Sequence, residues 1–172
     1  MFLALRESRG YRISFNLRSE ASSTFASLGL REKGFTMRVF RFSIPLTVHV
    51  GDVNYGGHVG YQIYLSYFQE ARIAYLKEFG CTELDIHGYG MIISEANCKY
   101  KKELLYRDEI RVKCGIGQLK SKVFIMEYQV EKGDDVCAIG STTNLCYDYR
   151  NRKVTKLPLE FVKAIREYEG LE

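Results

Sequence analysis

A chain of 172 residues with 46% hydrophobic side chains is long enough for one domain with a buried core, but short for two. Its net charge of +4 does not indicate a nucleic-acid surface, and the absence of an apolar run of about 18 residues argues against a membrane span. Five cysteines without a C-x-x-C pair or a His/Cys cluster predict no disulfide framework and no metal site, so we expect reduced thiols and a cytoplasmic protein.

Residues 1–36 are rich in serine and arginine and show no sustained period of 2 or 3.6 residues. This segment carries six basic and three acidic side chains, and therefore three of the four net positive charges of the chain. We predict an appendage outside the folded domain, and three interpretations stay open. It is an organelle transit segment, a disordered tail, or an upstream start with Met37 as the functional first residue, so the predicted domain spans residues 37–172.

The first predicted elements are a strand and a long helix, separated by a glycine-rich turn. "MRVFRFSIPLTVHV" at 37–50 has a strand pattern, and Pro45 favours an edge position in a sheet. After the turn, apolar side chains recur every three or four residues, at Tyr64, Tyr67, Phe68, Ala71, Tyr75 and Phe79. This spacing predicts a helix that stops at Gly80, and apolar residues on its neighbouring faces indicate that protein covers most sides of it.

Four segments with a period of two follow Gly90, and they predict strands near 91–105, 108–119, 121–132 and 135–149. We expect them to follow one another as an antiparallel meander. "EKGDDV" is typical of a tight hairpin because Gly133 can adopt positive φ. Pro158 then opens a short terminal helix, in which Phe161, Ile165 and Tyr168 share a face.

The turn before the long helix concentrates the polar residues that point to chemistry. A helix N-terminus presents unpaired N–H groups and the positive end of its dipole, and glycines leave room for a ligand to approach. We therefore expect amides around His58 to Gly60 to form an oxyanion site for an activated carbonyl, with Gly56 and Gly57 beside them. The alternative is that these glycines only satisfy a tight strand-to-helix turn.

The stretch Gly51-Asp52-Val53-Asn54-Tyr55-Gly56-Gly57-His58-Val59-Gly60, with Tyr64-Leu65 and Glu70-Ala71-Arg72 further along, resembles the signature of one thioesterase family. That family is the hot-dog acyl-CoA thioesterases of the 4-hydroxybenzoyl-CoA thioesterase type, and the resemblance covers residues 38 to about 168. It implies an α+β hot-dog fold, in which a curved antiparallel sheet of about five strands wraps a long central helix. It also implies a homodimer or homotetramer that hydrolyses acyl-CoA between subunits, with no cofactor beyond the coenzyme A of the substrate.

The signature departs from the family pattern at the position that matters most. Aligned on its glycines and His58, the family's catalytic aspartate falls at Asn54, and its helix-start asparagines fall at Gly60 and Tyr61. Asp52 matches an acidic position that many members also have. Three interpretations follow: a carboxylate-assisted thioesterase, a non-catalytic protein that binds acyl thioesters, or a hot-dog dehydratase that uses a histidine with a carboxylate.

Three side chains are candidates to assist the attack on the carbonyl. Asp52 lies near the helix start, where it could orient water or attack directly, or simply cap the turn. Glu70 lies about three helical turns further on, where it would face the ligand channel or pair with a buried Arg or Tyr. His58 could donate to the carbonyl or act as a polar cap, and Asn54 could position water although it is no base.

Substrate contacts are also assigned by the resemblance. The acyl chain would lie beside the central helix, against Gly57, Val59, Gly60 and Tyr61, and the pantetheine would leave at a subunit junction. Two basic groups could bind the nucleotide phosphates of coenzyme A: the hairpin residues Lys120, Ser121 and Lys122, or Arg150, Arg152 and Lys153. The alternative for both groups is an ordinary solvated cluster.

Overall fold

In the computed structural model, which describes residues 39–172, the regular elements follow the predicted order of strand, helix, strands and helix. They are β1 (Phe42–Thr47), a 3₁₀ turn (Val50–Asp52), α1 (Ile63–Lys77), β2 (Gly90–Tyr100), β3 (Glu109–Leu119), β4 (Val123–Lys132), β5 (Asp135–Asp148), β6 (Lys153–Val154) and α2 (Leu159–Glu169). The interpretations of residues 1–36 lie outside the described residues.

The strands form a single antiparallel sheet in the order β1-β3-β4-β5-β2, and the two-residue β6 pairs with β5. Strands β3, β4 and β5 follow one another through hairpins, and Gly133 has the positive φ of 57° expected between β4 and β5. The predicted meander is wrong for β2, which pairs with β5 at the far edge and not with β3. The connection at 101–108 is longer than a tight hairpin, and it crosses the end of the sheet with Leu104 fully buried beneath it.

Helix α1 packs its aromatic side against the concave face of this sheet. Phe68 stacks on Tyr128 with ring centroids 4.4 Å apart and planes 11° apart. Gly140 allows this close approach, because a Cβ there would lie 2.5 Å from the Phe68 ring. The arrangement is the predicted α+β hot-dog fold.

Residues 39–172 leave the opposite side of α1 open, which differs from the expectation that protein covers most sides of the helix. Leu65 is 41% exposed and Ile73 is 44% exposed on that side. Within residues 39–172 the sheet reaches the helix from one direction only, so this part of the chain does not cover the remaining face.

The boundaries of the local elements agree with the predicted stop and start signals. Helix α1 ends at Lys77, and Gly80 follows with a positive φ of 65°. Strand β1 is shorter than predicted and lies at an edge of the sheet, as Pro45 indicated. Pro158 is the N-cap of α2, whose Phe161 is completely buried in the core.

The five cysteines are free thiols, and four of them are buried. Within residues 39–172, no group of three or more His, Cys, Asp or Glu side chains could hold a metal ion. Neither helix in this part of the chain is both long and apolar enough to cross a bilayer.

Candidate active site

The segment between β1 and α1 is tied by backbone hydrogen bonds to one end of the sheet. The Val48 N–H donates to the Asp108 carbonyl at 2.9 Å, and the Val59 N–H donates to the Leu104 carbonyl at 2.8 Å. Between these two anchors the chain folds back on itself, with Gly57 at a positive φ of 81°. The polar turn therefore sits beside the first residues of α1, as the sequence predicted.

Asp52 is the carboxylate that the fold brings to this turn. Its Oδ2 accepts two hydrogen bonds, one from the His49 N–H at 2.9 Å and one from the Tyr67 hydroxyl at 2.9 Å. Its main-chain carbonyl accepts the Gly60 N–H, also at 2.9 Å. Within the described residues no donor is recorded for Oδ1, so the carboxylate is held in one orientation with one oxygen available. The capping role expected for Asp52 is thus present, but it occupies only half of the carboxylate.

Tyr67 is a site residue that the sequence did not reveal. Its position in the apolar period of α1 indicated only a core side chain, and it is indeed 6% exposed. Burial, followed by its hydrogen bond to Asp52, raises the pKa of the Tyr67 hydroxyl. The phenol therefore stays protonated at neutral pH and remains a donor to Asp52. The sequence signal for this role was the hydroxyl of a tyrosine, where phenylalanine would have packed equally well, on the face of α1 that points at the turn.

The free amides at the start of α1 lie slightly later in the chain than predicted. The Val59 and Gly60 amides are already bonded to carbonyls, and the Val59 side chain is 3% exposed in the core. Among the described residues, the amides of His58, Tyr61 and Gln62 have no recorded acceptor. Tyr61 and Gln62 directly precede the first helical residue, so they are the donors best placed for an oxyanion.

Asn54 and His58 flank the same glycine. The Asn54 Oδ1 accepts the Gly56 N–H at 2.8 Å, a local turn contact that leaves its side-chain N–H₂ without a recorded partner. A Cβ on Gly56 would lie 2.8 Å from the His58 ring, so glycine allows this imidazole to fold over the turn. His58 is exposed, and no carboxylate within residues 39–172 of the same chain pairs with it.

Glu70 does not join Asp52 in a single chain. It lies on the exposed side of α1, and the buried arginine of the same helix pairs with a different acid. Arg72 Nε donates to the Glu83 carboxylate at 2.6 Å, and its guanidinium also donates to the Tyr128 hydroxyl at 3.2 Å. Burial lowers the pKa of Arg72, but Tyr128 and Glu83 more than offset this and raise it. Glu83 thus takes the structural pairing that the sequence analysis considered for Glu70.

The predicted phosphate contacts lie at the opposite end of the sheet from the turn. Lys120, Ser121 and Lys122 form the β3–β4 hairpin, whereas the turn is anchored at Asp108, just before β3. Ten residue steps along β3 lead from Glu109 to Leu119, or about 33 Å at 3.3 Å per residue. The second basic group, at 150–153, follows the end of β5 on that same far side. A single chain brings neither group to Asp52.

A cavity of about 290 Å³ opens between α1 and the first residues of β2. Gln69, Arg72, Glu83, Met91, Ile93 and Tyr149 are among the residues that line it. Gln62 and Gln69 are seven residues apart, so they lie on the same side of α1 about 10 Å apart. The cavity therefore begins about 10 Å from the Gln62 amide, along the same flank of the helix, and extends from there toward the start of β2.

A curved antiparallel sheet around one long helix, with a polar glycine turn at the helix start, defines a hot-dog domain. Three solved structures share this fold. A gentisyl-coenzyme A thioesterase superposes with a TM-score of 0.64 at 29% identity, over 70% of this chain and 99% of the other. A hypothetical protein from Aquifex aeolicus gives 0.67 at 27% identity, over 72% and 98%. A 1,4-dihydroxy-2-naphthoyl-CoA thioesterase from Synechocystis gives 0.66 at 20% identity, over 72% and 94%, which supports the fold alone.

The chain belongs to the thioesterase-like superfamily, whose family model matches residues 48–165. The match begins just before the polar turn and ends within α2, so it spans every element described above except β1. The general activity that follows from this membership is hydrolysis of acyl thioesters.

Proposed function

We propose that the protein hydrolyses acyl-coenzyme A thioesters to a free acid and coenzyme A. Asp52 accepts a proton from water, and the water oxygen attacks the thioester carbonyl carbon. The N–H groups of Tyr61 and Gln62 receive the carbonyl oxygen as it becomes negative. The C–S bond then breaks, and the sulfur of coenzyme A takes back the proton that Asp52 held.

The anchored carboxylate of Asp52 is the observation that carries this proposal. A general base is effective when its orientation is fixed and one oxygen can still reach the reacting water. The hydrogen bonds from His49 and Tyr67 fix Asp52 Oδ2 and leave Oδ1 available, next to the start of α1. Each oxyanion donor contributes roughly 3 to 4 kcal/mol in enzymes where one has been removed.

The cavity beside β2 is the place we assign to the acyl group. If the carbonyl oxygen binds at the Gln62 amide, an extended acyl chain along α1 reaches Gln69 about 10 Å further on. Coenzyme A as the leaving group is supported by the name of the gentisyl-coenzyme A thioesterase, at 29% identity.

A thiol-release assay across short, long and aromatic acyl-CoAs tests the proposed function. We expect a higher kcat/KM for acyl groups that reach the cavity, about 10 Å along α1 from the Gln62 amide, than for acetyl-CoA, which does not reach it. Tight binding of the same thioesters without any release of thiol would instead favour the non-catalytic binding protein. The observation behind that second candidate is Asn54, which stands where the family carries its catalytic aspartate and whose Oδ1 is engaged with Gly56.

Replacing Asn54 by Asp tests whether this departure limits the rate. The aspartate can keep the hydrogen bond from Gly56 with one oxygen and present the second one, now charged, where the asparagine N–H₂ stands. We expect kcat to rise by about tenfold. This increase is smaller than the full contribution of a general base, because Asp52 already acts as one in the proposed mechanism. Unchanged or lower turnover in the folded variant would show that Asn54 is suited to this site as it is.

We further propose that two copies of the chain pair along β2 into a homodimer, from which a homotetramer can be built. Among the strands of residues 39–172, β2 pairs on one side only, with β5, and its residues at 93–97 are exposed. An open edge with an apolar side chain such as Ile93, 45% exposed, is a surface that proteins normally cover. The exposed Leu65 and Ile73 of α1 extend this uncovered surface.

Replacing Ile93 by Lys should convert the dimer to a monomer, because a charge at the centre of a paired edge must be desolvated. Light scattering coupled to size-exclusion chromatography measures the molar mass directly. Leu159→Lys is the control, since Leu159 is 75% exposed on α2, which packs against β3. A wild-type monomer, or a dimer that survives the Ile93 change, would contradict pairing along β2.

A further inference from the structure

The last residue of β2 reaches across to the start of α1. The Tyr100 hydroxyl donates a hydrogen bond of 3.0 Å to the main-chain carbonyl of Tyr61, 39 residues earlier in the chain. The Tyr100 ring also packs edge-on against Tyr64, with centroids 5.1 Å apart. This contact is therefore both a side-chain hydrogen bond to one particular peptide group and an aromatic packing contact.

The peptide group that Tyr100 binds is the one whose N–H belongs to Gln62. A carbonyl that accepts a hydrogen bond polarises its peptide unit, and the N–H on the other side becomes a stronger donor. The Gln62 N–H has no recorded acceptor among the described residues, so it can pass this polarisation to a ligand. The Tyr61 carbonyl also cannot rotate freely while the tyrosine holds it.

The same aromatic cluster leads to the carboxylate. Tyr64 packs edge-on against Tyr67, with centroids 6.1 Å apart, and Tyr67 donates to Asp52. Burial is the largest factor that raises the pKa of Tyr100, so its hydroxyl is protonated and donates at neutral pH. Three tyrosines thus fix the oxyanion peptide and the carboxylate relative to each other.

We propose that Tyr100 is a positioning residue for the oxyanion site: its hydroxyl orients and polarises the Tyr61–Gln62 peptide. This inference rests on the proposed thioesterase function. Because Tyr100 acts on a group that stabilises the developing charge, its effect is larger on the transition state than on ground-state binding. A tyrosine that only packed the helix start would affect stability and substrate affinity together.

The Tyr100→Phe variant removes the hydroxyl and keeps the ring. We expect kcat for acyl-CoA hydrolysis to fall about fivefold with KM changed by less than about twofold, as for loss of one ordinary hydrogen bond. Tyr106→Phe is the control, because Tyr106 is likewise 50% exposed on the adjoining segment and its ring lies beside the Arg107 guanidinium, 5.2 Å from the ring centroid. It should retain full kcat. An unchanged kcat in Tyr100→Phe, an equal loss in both variants, or a change confined to KM would overturn the inference.

Infrared difference spectroscopy provides a second measurement if Tyr100→Phe lowers stability or if product release limits kcat. An acyl-CoA labelled with ¹³C at the carbonyl is bound to protein carrying Asp52→Asn, with and without Tyr100→Phe. The carbonyl stretch should shift to lower frequency on binding, and the shift should be smaller without the hydroxyl. Equal shifts would overturn the role of Tyr100. Absence of wild-type turnover would instead defeat the proposed function itself, so the two failures are distinguishable.

Discussion

Replacing Asp52 by Asn should lower kcat for acyl-CoA hydrolysis by about two to three orders of magnitude, the range lost with a general base. Asparagine keeps the size of the side chain and can still accept the hydrogen bonds from His49 and Tyr67 on its oxygen. It cannot take a proton from water. Steady-state thiol release gives kcat, and a melting temperature close to that of wild type confirms that the turn is intact.

Glu70→Gln is the comparison that makes the Asp52 result decisive. Glu70 is exposed on the open side of α1, so we expect its replacement to change kcat by less than about twofold. A loss confined to the Glu70 variant would overturn the assignment of Asp52. It would also indicate that a second subunit brings Glu70 to the site, because one chain does not.

Replacing Arg72 by Met should lower the free energy of unfolding by about 3 kcal/mol, the lower end of the cost of breaking a buried ion pair. Only 3% of the Arg72 side chain is accessible, and its loss leaves the Glu83 carboxylate without its cation. The Tyr128 hydroxyl also loses a donor, although it keeps its 2.9 Å hydrogen bond with Thr142. Urea unfolding followed by circular dichroism measures the change.

Two further variants separate the ion pair from general effects of removing an arginine. Arg166→Met, on the exposed surface of α2, should change stability by less than about 0.5 kcal/mol. Adding Glu83→Leu to Arg72→Met should recover part of the loss, since no unpaired charge then remains. A loss below about 1 kcal/mol for Arg72→Met alone would mean that water reaches Glu83 and replaces the guanidinium.

The two expected results separate function from stability along one helix. Asp52 lies in the turn before α1, and its side chain is half-buried. Arg72 lies about two turns into the helix, on its buried side. The signature motif of the family contains both positions. In the mechanism we propose, the first serves the chemistry, whereas the contacts of the second with Glu83 and Tyr128 hold the segment after the helix against the sheet.

Local signals in the sequence predicted the elements correctly. Glycines at positive φ fixed the end of α1 at Gly80 and the hairpin at Gly133, and Pro45 correctly placed β1 at an edge. The periodicity of α1 gave its buried face. These features depend on the conformation of a few neighbouring residues, which the sequence specifies directly.

The pairing of β2 could not be predicted in the same way. Strand alternation states which face of a strand is buried, but it does not state which strand lies beside it. The expectation of a simple meander failed because the chain between β2 and β3 crosses the end of the sheet. The order of the strands in the sheet is decided by which arrangement buries the core of the whole domain, including Leu104 in that connection.

The sequence by itself determined the hot-dog fold, the location of the polar turn before the central helix and the identity of Asp52 as a candidate base. The tertiary structure alone decided what each group does there: Tyr67 holds Asp52, Tyr100 holds the peptide before Gln62, and Glu83 neutralises Arg72. These partners are separated by 11 to 39 residues, and they meet only when the helix is rotated and docked on the sheet. A periodic pattern specifies only which face of the helix is buried. A hydrogen bond requires its donor and acceptor atoms to be placed to within a fraction of an ångström.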